Sequence, residues 1–409
     1  MAAPPSFRAT RQRAPGKNLH AIMEHMQRLG SVGWDGALQY NDLTNVVEVR
    51  APWPPKAGQP KADPEPLDEV DHVLCIQNYF QRNDLNVNKL VVFDALQMKA
   101  RERRYHPVRD YLDSLTWDQK PRLERFCEDY LGAVVPTGPE GTQHRTYLGM
   151  VGRFFCTSAV ARIYRPGCKV DTVPVIVGEK QGEKKSQALR ALCADERWFT
   201  DNIGSAIDKD TKEALSGKWL VELAEMQILK SHPEGFKSFI TTTVDRYRPA
   251  YGRVTTDFPR QCVLIGTAND LVLPDDSGNR RFWPFRISQI NLPAIIRDRD
   301  QIWAEAVSLF LQGHRWWTDN PTDETLFRDA QENFAECDVW EGLIHQWVNA
   351  QHDAFKTGDV LEAVPALTGG RPVTKLDQMR LASCLKRMGY QKRKLRKHGE
   401  NAHWWSLKP

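Results

Sequence analysis

Three short runs of mostly apolar residues lie along the middle of this chain, each bounded by polar segments. They are Val173 to Val177, Trp219 to Leu223 and Cys262 to Thr267. Continuous apolar runs of this length are typical of strands buried on both faces of a parallel sheet. The segments between them have helical spacing, so the pattern predicts an α/β core with helical crossovers.

Helical periodicity flanks these runs on both sides. Apolar residues three and four positions apart recur from His106 to about Arg165, and again from Ile302 to Leu311. We therefore predict one unit over residues 106–335, made of a helical lead-in and the α/β core. Residues 19–105, with short strand patterns near 38–40 and 46–49, form a predicted small accessory domain. Residues 1–18 are basic and almost without apolar side chains, which predicts a disordered arm.

The last unit, residues 336–409, has a different pattern. Two helical pieces are followed by two strand-like segments that turn near Gly399, an order typical of a winged-helix DNA-binding domain. Basic residues without an intervening acid follow the second helix, and neutralising DNA phosphates with them would give salt-sensitive, sequence-independent binding. The alternative is a solvated charged face. The candidate residues are Lys386, Arg387, Lys392, Arg393, Lys394, Arg396 and Lys397.

Composition narrows the class of protein without deciding it. The 409 residues carry a net charge of only +4, so the total charge does not identify a partner. Eight cysteines lie far apart with no C-x-x-C pair, which favours free thiols in a reducing compartment. No apolar stretch of membrane-spanning length is present, so we expect a soluble, cytoplasmic protein without a membrane partner.

The segment after the first apolar run resembles a phosphate-binding loop. It lies between a predicted strand and a predicted helix and ends in Lys-Ser, so backbone N–H groups and the helix N-terminus could bind the phosphates of ATP. The consensus G-x-x-x-x-G-K-[ST] would place glycine where Glu179 and Lys184 stand, and a left-handed backbone at Lys184 would cost roughly 1–2 kcal/mol. A polar surface turn is the alternative. The candidate nucleotide-binding residues are Gly178, Gln181, Gly182, Glu183, Lys184, Lys185, Ser186 and Gln187.

Polar residues also follow the second and third apolar runs. Glu222 is the next-to-last residue of the second run, after Trp219-Leu220-Val221, and Glu225 lies just beyond the run. A nucleotide hydrolase needs one carboxylate to hold Mg²⁺, here with Ser186, and another to polarise the attacking water. Asn269, after the third run, could contact the γ-phosphate or orient that water. The alternatives are a solvated strand end and a simple turn.

Two further segments carry candidate residues. Arg280 and Arg281 precede an aromatic stretch and could stabilise transition-state charge in a neighbouring subunit, or could solvate a loop. Residues 236–253 interleave basic and aromatic side chains on a predicted hairpin that could contact nucleic acid, or could be a solvated edge. The candidate DNA contacts there are Lys237, Arg246, Tyr247, Arg248 and Arg253.

Several of these segments together resemble the virulence-associated protein E family. The resemblance rests on Tyr105 to Leu112, Arg165 to Lys169, Trp198 to Asp201, Val244 to Pro249 and Gly278 to Pro284. It implies a P-loop ATPase core similar to superfamily 3 helicases of the AAA+ class. Lys185 and Ser186 would bind phosphate and Mg²⁺, Glu222 and Glu225 would form the acidic motif, and Asn269 would be the sensor. Arg280 or Arg281 would be the intersubunit arginine.

The resemblance also implies a ring, with a hexamer favoured, that moves on single- or double-stranded DNA. No carboxylate cluster suited to primase chemistry is evident, so any primase would be a separate protein. The sequence thus predicts an ATP-dependent DNA helicase or translocase for replication of a phage or other mobile element. One alternative is a DNA-binding replication-initiation module with a weak ATPase used as an assembly switch. Another is a non-enzymatic adaptor that recruits host replication proteins through residues 19–105.

Overall fold

The computed structural model has two compact units. One comprises Met1–Leu271 with Asp275–Asn333, and the other comprises Val272–Pro274 with Phe334–Pro409. The first unit therefore includes both the predicted accessory domain and the predicted core. The residues that the structure describes are 19, 22–24, 37–50, 63–82, 87–178, 184–203, 209–224, 233–248, 255–269, 279–332, 334, 339–349, 354–397 and 400–407.

A parallel sheet of five strands forms the centre of the first unit. The strands, in chain order, are β5 (Val173–Val177), β6 (Phe199–Thr200), β7 (Leu220–Leu223), β10 (Val263–Ala268) and β11 (Phe282–Arg286). Their order across the sheet is β11-β5-β10-β7-β6, and every neighbouring pair is parallel. The three apolar runs thus form the three inner strands. Parallel pairing places the carboxyl ends of β5, β7 and β10 at one edge of the sheet.

The predicted strand number was too low, because β6 and β11 were not expected. β6 has only two residues, which is too short for a periodic signal. β11 has the sequence Phe-Trp-Pro-Phe-Arg and contains Pro284. Proline cannot donate to a ladder and is tolerated at a sheet edge, which is the position that β11 occupies.

Helices cover the sheet and are fixed to it by buried indole groups. Trp219, next to β7, donates from Nε1 to the carbonyl of Ala159 at 2.9 Å, and Trp303 donates to the carbonyl of Leu192 at 2.7 Å. The two rings lie 4.3 Å apart and are fully buried. The helices of this unit include α1 (Cys75–Arg82), α2 (Lys89–Arg101), α3 (Pro107–Asp113), α4 (Pro139–Tyr164), α5 (Lys185–Leu192), α6 (Lys209–Ala214), α7 (Pro233–Thr241), α8 (Leu292–Leu311) and α9 (Pro321–Glu332).

A second, four-stranded sheet lies in the N-terminal part of the first unit. Its order is β3-β2-β1-β4, built from β1 (Leu38–Asn41), β2 (Val46–Val49), β3 (Glu65–Pro66) and β4 (Arg104–Tyr105). It has its own hydrophobic cluster with α1 and α2. The turn between β1 and β2 contacts the segment before β7, where the hydroxyl of Ser216 donates to the carbonyl of Thr44 at 3.1 Å. The predicted strands near 38–40 and 46–49 are present.

The segment predicted as a hairpin over residues 236–253 is only partly a hairpin. Its first part is the helix α7, and only the strand β8 (Val244–Tyr247) pairs, antiparallel, with β9 (Thr256–Pro259). The apolar residues Phe236, Phe239 and Ile240 are three and four positions apart and all buried, which explains the helix. At the base of β8, Arg260 makes two hydrogen bonds to Asp245 at 2.6 and 2.9 Å in a buried ion pair.

The second unit contains three helices followed by a two-stranded antiparallel ribbon. These elements are α10 (Val339–Asn349), α11 (Thr357–Ala363), α12 (Lys375–Arg387), β12 (Tyr390–Lys397) and β13 (Glu400–Leu407). Trp405 of β13 is fully buried and pairs with Phe355 through an isolated bridge. The two helices and the ribbon expected from the sequence are present in that order, and α11, which was not predicted, lies between the two helices in the chain.

Candidate functional site at the carboxyl edge of the parallel sheet

β5 ends at Val177 and the helix α5 begins at Lys185, so a strand and a helix flank the predicted phosphate-binding loop, of which residues 179–183 lie outside the described residues. Lys184 has a φ of 58°, and its own side chain does not cap the start of the helix. The left-handed backbone considered for this residue is therefore present. Positive φ is unfavourable for a residue with a Cβ, so the conformation stores a small amount of strain at the entry to the helix.

Lys185 points back across the carboxyl edge of the sheet. Its Nζ donates to the carbonyls of Gly178 and Ala268, at 3.2 and 3.0 Å, and to Oδ1 of Asn269 at 2.9 Å. Gly178 and Asn269 each lie one residue beyond the end of a strand, β5 and β10. The structure thus brings together the predicted phosphate lysine and the predicted sensor asparagine, which are 84 positions apart in sequence.

Glu222, near the end of β7, is the most buried acidic residue of this edge, with 1% of its surface exposed. Its Oε1 accepts hydrogen bonds from the hydroxyl of Ser186 at 2.9 Å and from the hydroxyl of Thr267 at 2.6 Å. Its Oε2 is buried and has no hydrogen-bond partner among the described residues. Three strands and one helix therefore contribute to a single polar cluster.

The donor set of this cluster fits a small divalent cation. Mg²⁺ prefers oxygen ligands and is commonly held by one or two protein oxygens beside substrate phosphates. The hydroxyl of Ser186 and the carboxylate of Glu222 are hard oxygen donors in direct contact. A buried carboxylate oxygen without a partner is unfavourable unless a cation or a donor faces it. The described part of the chain contains no group of three or more His, Cys, Asp or Glu residues suited to a metal ion, so Mg²⁺ here would be held by Ser186, Glu222 and the substrate phosphates.

Arg280 and Arg281 lie at the amino end of the parallel strands, opposite to the carboxyl edge that carries Lys185. They end a short 3₁₀ turn before β11, and Phe282 pairs with Val173, the first residue of β5. Since strands rise by about 3.3 Å per residue, the start of β11 is about 13 Å from the end of β5. The Nε of Arg281 is buried and has no hydrogen-bond partner among the described residues. The structure therefore does not bring these arginines together with Lys185 within one chain.

The candidate DNA contacts in the central unit have different surroundings. Lys237 lies in α7 and is only 8% exposed, so its predicted place on a hairpin is wrong. Tyr247 is buried and its ring stacks on Phe258 at 4.6 Å, which leaves little of it for a base. Arg246 and Arg248 are exposed, and Arg246 lies 3.6 Å from Asp257.

In the second unit, Lys392, Arg393 and Lys394 are exposed on β12, as predicted for a basic ribbon. The side chains of Lys386, Arg387, Arg396 and Lys397 are not described. Gln187 is exposed in the first turn of α5. The remaining candidates lie outside the described residues, as does the predicted arm. These candidates are Gln181, Gly182, Glu183, Glu225 and Arg253.

Thr267 is the residue of this site that sequence reasoning did not single out. It was only the last residue of an apolar run, and its contact with Glu222 depends on the pairing of β10 with β7. A polar residue at the end of an otherwise apolar strand was the available signal. Arg260, which anchors β8 through Asp245, was also not predicted, because this contact depends on the pairing of β8 with β9.

Fold and site together define an α/β protein with a parallel sheet whose polar cluster lies at the carboxyl edge, the usual place for ligands in such sheets. The chain belongs to the virulence-associated protein E-like domain family. The model of this family matches residues 112–336, which is more than half of the chain. The resemblance seen in the sequence is thereby confirmed. No curated protein matches the chain.

Two solved structures of one protein region are similar to parts of this chain. The apo structure of the NrS-1 C-terminal region is 10% identical, with a TM-score of 0.45, over 94% of this chain and 98% of that chain. The A form apo structure of the same region is 11% identical, with a TM-score of 0.41, over 90% and 95%. Similarity at this level carries no argument about function. Within the described residues, no helix is both long enough and apolar enough to cross a membrane.

Proposed function

We propose that the protein is a Mg²⁺-dependent ATPase of the P-loop type that drives movement on DNA during replication of a phage or other mobile element. The observation that carries this proposal is the cluster of Lys185, Ser186, Glu222 and Asn269 at the carboxyl edge of the sheet. A cation, a hydroxyl beside a carboxylate, and an amide at neighbouring strand ends are the groups that phosphoryl transfer requires.

Each residue has a role that follows from its chemistry. The ammonium of Lys185 would exchange its carbonyl partners for β- and γ-phosphate oxygens, and the N-terminus of α5 would add backbone donors. Ser186 and Glu222 would hold Mg²⁺, which when bound neutralises charge on the phosphates. Asn269 would contact the γ-phosphate or orient the water. Glu225 remains the predicted residue that polarises this water.

The strand order supports a phosphate-loop ATPase further. β10, which ends in the predicted sensor, lies between β5, which precedes the loop, and β7, which carries Glu222. A single ligand at the carboxyl ends of β5 and β10 can therefore be contacted by residues that follow either strand. The winged-helix assignment of the second unit and the AAA+ assignment of the core belong to the same proposal.

The direct test is ATP hydrolysis measured with and without single-stranded DNA, with the Lys185→Ala variant as the matched inactive control. We expect Mg²⁺-dependent turnover that DNA stimulates and that the control lacks. Strand displacement on a forked duplex then tests unwinding. Turnover that is equal in the wild type and the control would contradict the proposal, since the activity would come from another site or a contaminant.

A weak ATPase that acts mainly as an assembly switch is the second candidate function. The observation that favours it is the left-handed Lys184 at a position where glycine is the usual residue. The two functions differ in their response to DNA. ATP-dependent assembly with slow turnover, which DNA does not stimulate, would favour the switch over the translocase.

The placement of Arg280 and Arg281 supports a role between subunits. The pair precedes β11, away from Lys185, so we propose that one of its arginines completes a neighbour's site in a ring, with a hexamer favoured. Mixing Arg281→Ala subunits with Lys185→Ala subunits should restore part of the ATPase activity. The same mixture with Arg280→Ala identifies which arginine acts. Mixed oligomers without recovery would contradict the intersubunit role.

A further inference from the structure

Among the hydrogen bonds described for the polar cluster, the one from the hydroxyl of Thr267 is the shortest. Its Oγ1 lies 2.6 Å from Oε1 of Glu222, and the two residues are 4% and 1% exposed. An ionised carboxylate only accepts hydrogen bonds, so the threonine is the donor. Hydrogen bonds to a charged, buried acceptor are shorter and stronger than neutral ones. Thr267 therefore fixes one oxygen of a carboxylate that has almost no contact with solvent.

The strand register explains why Thr267 reaches this carboxylate. Ile265 of β10 pairs with Glu222 of β7 in the parallel ladder. Side chains two residues apart on a strand point to the same face, so Thr267 projects on the face that carries Glu222. Asn269, two residues further along, continues on that side and contacts Lys185. Near the end of β10, Thr267 thus contacts the carboxylate of Glu222 and Asn269 contacts Lys185.

The two oxygens of Glu222 have unequal surroundings. Oε1 accepts from both Ser186 and Thr267, whereas the buried Oε2 has no partner among the described residues. Rotation of the carboxylate would exchange these two oxygens, and the donor from Thr267 opposes that exchange. Ser186 alone would fix the carboxylate less firmly. Its hydroxyl would also ligate the cation and would be drawn toward the cation, away from Glu222.

We propose that Thr267 is a positioning residue that orients Glu222 so that Oε2 faces the bound Mg²⁺. This inference rests on the proposed ATPase function and adds a residue that the phosphate-loop pattern does not include. Partners that orient a ligating group typically change metal affinity by about 10- to 100-fold when removed. The effect should therefore appear in the Mg²⁺ dependence of nucleotide binding before any turnover.

The experiment measures binding of a fluorescent ATP analogue as a function of Mg²⁺ concentration, and again in EDTA. Thr267→Val keeps the shape and removes the hydroxyl, while Thr267→Ser keeps the hydroxyl. The matched control is Thr157→Val in α4, a fully buried threonine whose Oγ1 has no hydrogen-bond partner among the described residues. Thermal unfolding of each variant separates site effects from loss of fold.

We expect Thr267→Val to raise the Mg²⁺ concentration at half-maximal binding by about 10- to 100-fold, with binding in EDTA unchanged. Thr267→Ser should stay within about threefold of the wild type, since it retains the charged hydrogen bond. Thr157→Val should titrate like the wild type. If Thr267→Val fails to fold, Thr267→Ala is measured in its place with the same expectation.

Two results would overturn the role of Thr267. One is a Thr267→Val titration equal to that of the wild type, and the other is an equal shift in Thr267→Ser, which would indicate packing and not the hydroxyl. Both results are defined relative to a wild type that binds the nucleotide with Mg²⁺. They would therefore leave the ATPase proposal unaffected. A wild type that binds no nucleotide would instead overturn the proposed function and this role together.

Discussion

The carboxyl edge of the parallel sheet and the ribbon of β12 and β13 both carry polar and charged residues, but they hold them differently. At the sheet edge, Glu222 and Thr267 are buried and the polar groups bond to one another. On the ribbon, Lys392, Arg393 and Lys394 are exposed at consecutive positions of one strand, so Arg393 projects from the face opposite to the two lysines. One region is a connected network and the other is a set of separate charges.

This difference indicates two kinds of function. Burying a carboxylate is unfavourable unless its partners are well placed, so each member of the network depends on the others. Exposed cations keep their hydration and contribute to phosphate binding nearly independently. We therefore expect single substitutions at the sheet edge to have large effects and those on the ribbon to have small, additive ones.

The largest effect is expected from Lys185→Ala. This change removes the ammonium that contacts Gly178, Ala268 and Asn269, and nucleotide affinity should fall by about 100-fold, as for loss of a hydrogen bond between charged groups. Calorimetric titration with a nonhydrolysable ATP analogue measures it. Lys184→Ala is the adjacent control and should bind within a fewfold of the wild type. A damaging Lys184→Ala with a silent Lys185→Ala would reverse the assignment of the two lysines.

At saturating Mg²⁺, Glu222→Gln should leave ATP bound but slow its hydrolysis by about 100-fold or more, because the amide keeps the shape and loses the charge. The amide oxygen can still accept from Ser186 and Thr267. Single-turnover hydrolysis, together with analogue binding, separates the two steps. Glu225→Gln is expected to act in the same direction. Full turnover in the Glu222→Gln variant would remove this residue from the site.

Replacing Lys392, Arg393 and Lys394 together by alanine should reduce the dependence of DNA affinity on salt. Each lost phosphate contact lowers the slope of log affinity against log salt by about 0.9, so the triple variant should lose up to about 2.7. Fluorescence anisotropy at several salt concentrations measures the slope. Each single variant should lose at most about 0.9. One single variant with the whole effect would break the contrast with the sheet edge, because the ribbon would then act as a network.

The smallest effect is expected from Lys184→Gly, which relieves the backbone at φ 58°. Removing the Cβ should stabilise the native state, while the added freedom of the unfolded chain offsets part of the gain. We expect the free energy of unfolding to rise by about 0.5–1 kcal/mol. Lys184→Ala keeps the strain and removes the ammonium, so denaturant unfolding of this control should match the wild type. Equal stabilisation in both variants would indicate charge repulsion and not backbone strain.

Much of the core was predictable because its signals are local. Val173–Val177 is apolar throughout and is buried throughout, and Lys-Ser after it begins a helix. The predicted hairpin was wrong for α7. The mixture of basic and aromatic residues in this segment suggested strands, but Phe236, Phe239 and Ile240 have helical spacing. The sequence analysis did not predict β11, which contains Pro284 and lies at the edge of the sheet, where a proline is tolerated.

The sequence by itself determined which residues could form the site: a lysine and serine after one apolar run, and acidic and amide residues after two others. These are properties of single segments, set by burial and by the chemistry of each side chain. The tertiary structure decided which of them meet. Placing β10 between β5 and β7 brings Asn269 to Lys185 and Thr267 to Glu222, and starts β11 at the far edge with Arg280 and Arg281. Strand order and register arise from packing between distant segments, so no single segment contains them.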